Sequence, residues 1–340
     1  PFVDGVSTYF LAVNRNKRSV TLDLKLEVGK DVLWQLIETA DVVVSNFRVG
    51  VMDSLGFSFE QVAERAPRCV YGLINGYGRS GDRAQRPSFD VVVQAESGLM
   101  DLTGFADGKP TKVGVPIADE IAGLYLVQGI LLALLERQKT DRGQLVEVAL
   151  HDALLSMFTF QAQRYLSVGL QPRRMGNRHP SIAPYETFEA TDGTIVVGVG
   201  NEGIWERFCT ALGADHLLGD ERFARNPDRV ANREQLEEEL AALFLGHPVA
   251  YWEERLGAAG VPCGRVRVLN EVLERERNTD RGMVVEVDGL AFLGVPIKLS
   301  SSPGRVRGRP PRLGEHTAAV LAELGHTEEE VAAWRDAGVI

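Results

Sequence analysis

The chain contains 340 residues, of which 44% are hydrophobic and 25% are charged, as expected for a globular protein large enough for two domains. Its net charge of −10 argues against non-specific binding to nucleic acid, which requires a basic face, but is compatible with a local basic pocket. Two glycines and two polar residues interrupt the longest apolar candidate, 121–135, so we expect no membrane span. The start of the sequence does not have the pattern of a signal peptide, and we expect none there.

The spacing of cysteines and histidines bears on the compartment and on metal binding. Cys69, Cys209 and Cys263 lie far apart and form no CxxC pair, which favours a reduced, cytoplasmic location. The six histidines show neither HxxxH nor HExxH spacing, so we expect no bound metal.

The first part of the chain alternates between strand and helix patterns. Ser19 to Leu24 alternates as a short strand does, whereas the apolar runs from Asp41 to Ser45 and from Cys69 to Ile74 are typical of buried parallel strands. Helices are predicted at 29–39 and 59–65. This rhythm predicts an α/β fold with a doubly wound, mostly parallel, Rossmann-like sheet.

Ligands of such sheets bind beyond the carboxyl ends of the strands. Asn46-Phe47-Arg48 and Asn75-Gly76-Tyr77 each follow a predicted strand, so we expect the ligand beside them. Later in this part, the sequence predicts a loop at 79–87, a strand at 144–148, and helices at 91–100, 121–137 and 150–166.

The composition changes after Gly169, where prolines and arginines crowd the chain as far as Pro184. Beyond this stretch, Thr191-Asp192-Gly193 separates two strand patterns and indicates a hairpin. The predicted division is a large α/β domain at 1–168, a linker or active-site loop at 169–184, a small α+β domain at 185–275, and a return linker with the last part of the large domain at 276–340.

Asp119 stands between a stretch broken by glycine and proline and a long apolar helix. It is predicted at or just before the helix N-terminus, where an aspartate commonly caps free backbone N–H groups. A carboxylate in this position also stays ionised, and an ionised carboxylate can attack an activated carbonyl as a covalent nucleophile. The local pattern leaves both interpretations open.

Ordered motifs along most of the chain resemble the class III CoA-transferases, the family of formyl-CoA transferase and carnitine CoA-transferase, to which the α-methylacyl-CoA racemases are related. Members of that family open with a strand–turn–helix unit that has no match here, so we do not expect its CoA contacts. The matching segments are 14–25, 40–48, 89–98, 113–123, 260–264 and 313–317.

In the resembled family, the aspartate that matches Asp119 carries the acyl group. The resemblance thus implies transfer of CoA from an acyl-CoA to a carboxylic acid through an aspartyl anhydride and an aspartyl-CoA thioester. It also implies an interlocked homodimer and an active-site loop at Gly176, Asn177 and His179. The loop carries one glycine where relatives carry several, so we expect it to be stiffer, and His179 beside Pro180 is a structural rather than a catalytic candidate.

Coenzyme A, as the acyl-CoA substrate, is expected along the first strands. The lysines of these strands could contact the phosphates of CoA, or they could form a basic edge exposed to solvent. Phe47 could stack on adenine, or it could pack under the sheet. Arg48 suits bidentate phosphate binding. The residues assigned to CoA are Lys17, Leu22, Leu24, Lys25, Asn46, Phe47 and Arg48.

Phe89 and Asp90 bear on the choice of reaction. The related racemases carry a histidine at the position of Phe89, and that histidine moves a proton at the α-carbon, which phenylalanine cannot do. Asp90 is expected either to orient substrate beside Asp119 or to cap a helix. Asn75, after its strand, is the further substrate candidate.

The sequence therefore favours an acyl-CoA:carboxylate CoA-transferase, with succinyl-CoA as the candidate donor. Arg174 and Arg178 could clamp the distal carboxylate of a dicarboxylic acid. The alternatives are an acyl-CoA racemase or epimerase, and a catalytically inactive CoA-binding protein. A thiol nucleophile at Cys263 lacks a visible base.

Overall fold

The computed structural model describes all 340 residues, which form two compact units. Each unit is assembled from segments that are distant in sequence, and residues 91–117 and 154–168 group with the second unit. Unit 1 comprises Pro1–Asp90, Ala118–Ala153 and Leu269–Ile340, and unit 2 comprises Val91–Ile117 and Leu154–Val268.

Ten short strands form one parallel sheet, one antiparallel three-stranded sheet and two hairpins. The strands are β1 (Phe2–Val3), β2 (Val6–Ser7), β3 (Val42–Ser45), β4 (Val70–Asn75), β5 (Leu145–Ala149), β6 (Tyr185–Ala190), β7 (Gly193–Gly198), β8 (Cys263–Arg265), β9 (Val284–Val287) and β10 (Leu290–Leu293).

Sixteen α-helices and one 3₁₀ turn (Asp215–Leu218) complete the elements. The helices are α1 (Thr8–Val13), α2 (Glu27–Thr39), α3 (Val51–Leu55), α4 (Phe59–Arg65), α5 (Asp90–Glu96), α6 (Leu99–Leu102), α7 (Ile117–Thr140), α8 (Leu150–Ser156), α9 (Thr159–Val168), α10 (Glu202–Leu212), α11 (Asn226–Ala231), α12 (Arg233–Phe244), α13 (Val249–Ala258), α14 (Leu269–Glu276), α15 (Thr317–Glu323) and α16 (Glu328–Asp336).

The sheet of unit 1 has the order β3-β4-β5, and all its strands are parallel, which confirms the predicted α/β character. The predicted strand at Ser19–Leu24 is wrong, because this segment is irregular. Its backbone groups bond to the C-terminal part of the chain: Ser19 O accepts from His316 N at 3.0 Å, and Asp23 N donates to Val339 O at 2.8 Å. An extended segment bonded in this way shows the same alternation as a strand.

Helix α7 packs on the parallel sheet along a seam of small residues. A Cβ at Gly129 would lie 2.5 Å from Val146 Cγ1, and one at Gly72 would lie 3.3 Å from Ile130 Cδ1. Close approach of helix and strand therefore requires glycine at Gly129. The helix also begins at Ile117, earlier than the predicted Ile121.

By length and composition alone, α7 could cross a membrane, with a mean hydropathy of 1.6 over its most apolar eighteen residues. The absence of a membrane span stays a prediction, because the interrupting glycines and polar residues leave the mean hydropathy of α7 high. The packing on the sheet is that of a helix in a folded core. On the opposite face, large apolar side chains are exposed at Leu124, Val127, Leu131, Leu132 and Leu135.

Two helices predicted as continuous are interrupted. The predicted helix 91–100 is split into α5 and α6 by Gly98, whose φ of 92° is left-handed. The predicted helix 150–166 is split into α8 and α9, where Met157 N and Phe158 N donate to carbonyls three residues back instead of four.

Unit 2 contains the predicted hairpin, β6–β7, with β8 added on the far side of β7. Asp192 in the turn accepts from Val249 N at 2.7 Å, which fixes the start of α13 against the hairpin. Helices α10, α12 and α13 cover the sheet with a core that includes Trp205, Phe208 and Phe244. This antiparallel sheet with helices has the predicted α+β character.

Candidate active site

A cleft of about 630 Å³ opens in unit 1 at the carboxyl ends of β3 and β4. Its position follows the rule for open parallel sheets, because the loops after neighbouring strands diverge there and leave a crevice. The predicted residues that the cleft brings together are Asn46, Phe47, Arg48, Asn75, Phe89, Asp90 and Asp119.

Asp119 is the third residue of α7 and does not cap it. The capping position is filled from another segment, since Asp90 Oδ1 accepts from Ala118 N at 2.8 Å. Asp119 therefore lies in the first turn of α7, near the predicted helix N-terminus, but without the capping role. Of the two roles open for Asp90, the structure contains the cap. The Asp119 carboxylate is exposed and accepts no hydrogen bond from the protein.

The electrostatic setting of Asp119 also differs from the expectation for a helix start. Although the carboxyl group is open to the cleft, the surrounding protein removes part of its hydration, and this partial desolvation raises its pKa above the ordinary value. The nearby charges of Asp90 and Glu120 raise the pKa further. Both effects disfavour the anion and outweigh the helix dipole, which would lower the pKa. The carboxylate is therefore more basic than that of an ordinary aspartate, and a more basic anion is a stronger nucleophile.

Asn75 shapes the turn that follows β4. Its Oδ1 accepts from Gly78 N at 2.5 Å, and its Nδ2 donates to Glu147 Oε1 at 3.2 Å. The same Glu147 oxygen accepts from Arg79 N at 2.5 Å. The Asn75 side chain thus holds the floor of the cleft in shape, although the residue was predicted to contact substrate.

The next residue, Gly76, allows the far wall of the cleft to approach the floor. A Cβ at Gly76 would lie 2.1 Å from Ser88 Oγ and 2.5 Å from Ser88 Cβ, so no other residue fits without displacing Ser88. Ser88 precedes Phe89 and Asp90, which face the cleft. The wall therefore packs directly against the end of β4.

Phe47 and Arg48 are available to a ligand. Phe47 is 55% exposed, which contradicts the alternative that it packs under the sheet. Arg48 is exposed and forms no ion pair with the protein. Asn46 and Phe47 also line an adjoining apolar groove of about 310 Å³, which Leu24 joins from the neighbouring segment. The aromatic ring therefore stands where the cleft and the groove meet.

Three of the residues assigned to CoA lie outside both depressions. Lys17 Nζ donates to Asn14 Oδ1 at 3.1 Å, and Leu22 packs beside the small core formed by Val32, Leu321 and Val331. Lys25 is exposed, and only its backbone N–H is bonded, to Asp23 Oδ1 at 2.9 Å. Leu22 is therefore a packing residue.

The predicted active-site loop lies in unit 2, and its polar groups are bonded within that unit. Gly176 has a φ of 61°, and a Cβ there would lie 2.7 Å from the ring of Phe105. Asn177 Nδ2 donates to Thr187 Oγ1 at 3.1 Å. The expected stiffness of the loop stays a prediction.

His179 in this loop has a structural role. Its ring packs between Phe160 and Tyr185, with centroids 5.4 Å apart in both cases, and its Nδ1 accepts from Ser181 N at 3.1 Å. Burial lowers its pKa, and the charge of Arg233 adds to this effect, so the ring is neutral near pH 7.

The two arginines predicted to clamp a dicarboxylate are already paired with carboxylates of unit 2. Arg174 Nη1 lies 3.1 Å from Asp101 Oδ1. Arg178 is paired with Glu237 and lies 3.8 Å from Glu186 Oε2. A dicarboxylate clamp at either residue would therefore require an internal ion pair to break.

Sequence reasoning missed several residues of the cleft. The segment between β4 and α5 was predicted only as a polar loop, yet it forms a wall of the site. A signal was present, because the segment directly follows the carboxyl end of a predicted strand. The missed lining residues are Tyr9, Val49, Ile74, Ala84, Gln85, Arg86, Pro87, Ser88 and Leu150.

Known proteins resemble this chain in sequence along nearly its whole length. An acetyl-CoA:oxalate CoA-transferase of Acetobacter aceti is 36% identical over 330 residues, which cover 96% of this chain and 85% of the relative. A succinate–glutarate CoA-transferase of Agrobacterium fabrum is 36% identical over 340 residues, which cover 95% of this chain and 84% of the relative.

Structure and family comparison agree with these relatives. The crystal structure of a CAIB/BAIF family protein from Brucella suis superposes with a TM-score of 0.84 at 38% identity, covering 95% of this chain and 86% of that one. CoA-transferase family III matches residues 1–317. The chain belongs to CoA-transferase family III and is an acyl-CoA:carboxylate CoA-transferase.

Proposed function

We propose that the protein moves CoA from succinyl-CoA to a short dicarboxylic acid through covalent intermediates on Asp119. The observation that carries the proposal is the state of this carboxylate: it is exposed in the cleft, it accepts no hydrogen bond, and its pKa is raised. A side chain kept only for structure would be bonded, as the carboxylate of Asp90 is to Ala118 N.

In the first half-reaction, an Asp119 oxygen attacks the thioester carbonyl of the donor. The C–S bond breaks, the electron pair leaves with sulfur as CoA thiolate, and Asp119 and the acyl group form a mixed anhydride. The thiolate then attacks the Asp119 carbonyl carbon of the anhydride. The donor acid leaves as its carboxylate, and Asp119 is left as a thioester with CoA.

The second half-reaction reverses these steps with the acceptor. The acceptor carboxylate attacks the aspartyl thioester, thiolate leaves, and a second anhydride forms. The thiolate attacks the acceptor carbonyl, which releases the new acyl-CoA and restores the Asp119 carboxylate. No net proton is consumed, so the cycle needs no acid–base residue, and this is compatible with Phe89 at the position where the related racemases carry a histidine.

CoA is proposed to lie across the boundary between the cleft and the groove. The exposed ring of Phe47 can stack on adenine, and the unpaired guanidinium of Arg48 can bind a phosphate in two hydrogen bonds. Leu24 lines the groove beside Asn46, and Lys25 follows it in the chain with an exposed ammonium group. This arrangement leaves the cleft beside Asp119 for the thioester.

The choice of substrates rests on the relatives. The relatives of Acetobacter aceti and Agrobacterium fabrum are named for oxalate and glutarate, and the latter also for succinate. All three are short dicarboxylates. The three free, widely spaced cysteines support a cytoplasmic location for the reaction.

We further propose a homodimer, on the basis of the uncovered face of α7. Leu124, Leu132 and Leu135 are each at least 58% exposed, and they share this face with other exposed apolar residues. A contiguous apolar face of this kind marks an interaction site. Sedimentation of the purified protein at micromolar concentration should give a dimer, and a stable folded monomer would contradict the proposal.

Covalent trapping tests the function directly. The protein is incubated with succinyl-CoA, treated with hydroxylamine, and digested for peptide mass mapping. The aspartyl thioester and the anhydride both react with hydroxylamine, so we expect a hydroxamate on the peptide that contains Asp119. A hydroxamate elsewhere, or none despite measured transfer, would reject Asp119 as the nucleophile. Exchange of the α-proton with D₂O without transfer would instead favour a racemase.

A further inference from the structure

Helix α5 carries a buried amide that the proposed chemistry does not use. Gln94 is fully buried, with 0% exposure, which is rare for a polar side chain of this size. Its Oε1 accepts from Val113 N at 2.9 Å, and its Nε2 donates to Val115 O at 3.5 Å. The side chain therefore bonds the backbone of the segment that leads into α7, the helix that carries Asp119.

The segment from Val113 to Pro116 has little side-chain packing to fix its path. Gly114 and Val115 are exposed, and a Cβ at Gly114 would meet nothing within 4 Å. Pro116 has no backbone N–H to donate. The amide of Gln94 thus supplies bonds where packing is sparse, and removing it would leave the Val113 N–H without this acceptor.

A second side chain of α5 bonds the start of α7 itself. Asp90 lies four residues before Gln94, so the two side chains share one face of the helix. Asp90 Oδ1 accepts from Ala118 N at 2.8 Å. Helix α5 therefore bonds both the approach to α7, through Gln94, and the first turn of α7, through Asp90.

The backbone bonded by Gln94 continues directly into the turn that carries the nucleophile. Val115 O also accepts from Ile117 N at 2.9 Å, and Ile117 is the first residue of α7. We propose that Gln94 is a positioning residue for CoA transfer, which fixes the start of α7 so that Asp119 meets the thioester carbonyl. This inference rests on the function proposed above, because it takes Asp119 as the nucleophile. A misplacement of about 1 Å can lower a reaction rate roughly 100-fold.

The experiment compares Gln94→Met with the matched control Asn226→Leu in the whole chain. Both substitutions keep the shape of the side chain and remove one acceptor and one donor that bond the backbone of a loop. In the control, Asn226 Oδ1 accepts from Ala183 N at 3.1 Å, and its Nδ2 donates to Ser181 O at 2.8 Å.

Three properties are measured on each variant. Thermal midpoints report stability, and kcat and KM are determined with succinyl-CoA as donor, well below the lowest midpoint. Hydrogen exchange of the peptide 113–121 reports how firmly the start of α7 is held, because Ile117 N and Ala118 N are both bonded in the unmodified protein. This last measurement does not depend on chemistry at Asp119.

We expect both variants to lose stability, but only Gln94→Met to lower kcat, by roughly 10- to 100-fold, with KM for succinyl-CoA little changed. Exchange in the peptide 113–121 should increase in Gln94→Met alone. Retained kcat in Gln94→Met, an equal loss of kcat in Asn226→Leu, or unchanged exchange would overturn the inference. Failure of the proposed function is distinguishable, because it would remove the Asp119 hydroxamate from the unmodified protein and leave the exchange difference intact.

Discussion

The cleft of unit 1 and the segment 174–187 of unit 2 use their polar side chains in opposite ways. In the cleft, Asp119 and Arg48 have no bonded partner in the protein. In the segment of unit 2, Arg178 is held by two glutamates and His179 lies between two rings. Uncompensated polar groups are available to a ligand, whereas bonded ones stabilise the unit that contains them.

This difference separates a site from a scaffold. The buried carboxyl of Glu186 shows the scaffold in its extreme form, since burial and the adjacent Glu237 raise its pKa to about 8. Asp119 also has a raised pKa, but its carboxylate is exposed to the cleft. A shifted pKa therefore indicates chemistry only where a substrate can reach the group.

The largest expected effect comes from Asp119→Asn, which should lower transfer by about three orders of magnitude or more, because the amide lacks the nucleophilic anion. The thermal midpoint should stay equal or rise, since the substitution removes a carboxylate whose anion is disfavoured in the folded protein. Transfer, CoA binding and the thermal midpoint are measured on one preparation.

The control is Glu120→Gln, which removes a neighbouring charge in the same turn of α7 without touching the cleft lining. It should keep most of the activity. Near-normal turnover in Asp119→Asn, accompanied by a lower thermal midpoint, would assign Asp119 to the scaffold and remove the contrast between the two regions.

A middle-sized effect is expected from Gly76→Ala. The new methyl group must displace Ser88, which should cost about 1–3 kcal/mol of stability and move the wall of the cleft. The transfer rate should therefore fall by more than the loss of folded protein accounts for. The matched control is Gly257→Ala in α13, where a Cβ meets nothing within 4 Å. Equal activity in both variants would indicate that the position of the wall does not depend on the packing of Ser88 against Gly76.

The smallest expected effect concerns Glu186 and the pH dependence of stability. Because its pKa is about 8 in the folded protein, above the ordinary value of 4.5, its contribution is fully present below about pH 4.5 and is lost as the pH rises through about 8. Thermal midpoints measured from pH 6 to 9 should fall by a few degrees more in the unmodified protein than in Glu186→Gln.

The control for this series is Glu189→Gln on the same strand, since Glu189 is exposed and bonded to Thr194 Oγ1 at 2.8 Å. Its pH profile should follow that of the unmodified protein. Parallel profiles for all three proteins would mean that Glu186 is ionised in the folded protein. The raised pKa of this buried carboxyl group would then be wrong.

The sequence predicted those features that depend on local pattern. The apolar runs at β3 and β4 and the turn at Asp192 were sufficient to place strands, because buried strands and hairpins have characteristic compositions. Asp119 was selected by resemblance, and its place in a cleft follows from the parallel sheet. These predictions needed no knowledge of distant contacts.

Several of the missed features join segments that are distant in sequence. Asp90 caps α7 by accepting from Ala118 N, which lies 28 residues further along the chain. Tyr9 and Asp119 line the same cleft although they are far apart in sequence. Ser19 has a strand-like neighbourhood but bonds to the C-terminal part of the chain. No local pattern encodes such pairings, because the partner is selected by the fold.

The hydrogen bond from Ala118 to Asp90 has a consequence for redesign of the enzyme. It joins the last residue of the cleft wall to the turn of α7 that carries Asp119, so the position of the wall and that of the nucleophile are coupled. Side chains at Arg86 and Phe89 can be exchanged without altering this coupling. An insertion or deletion between Gly76 and Asp90 would displace Asp90 and move the nucleophile together with the wall.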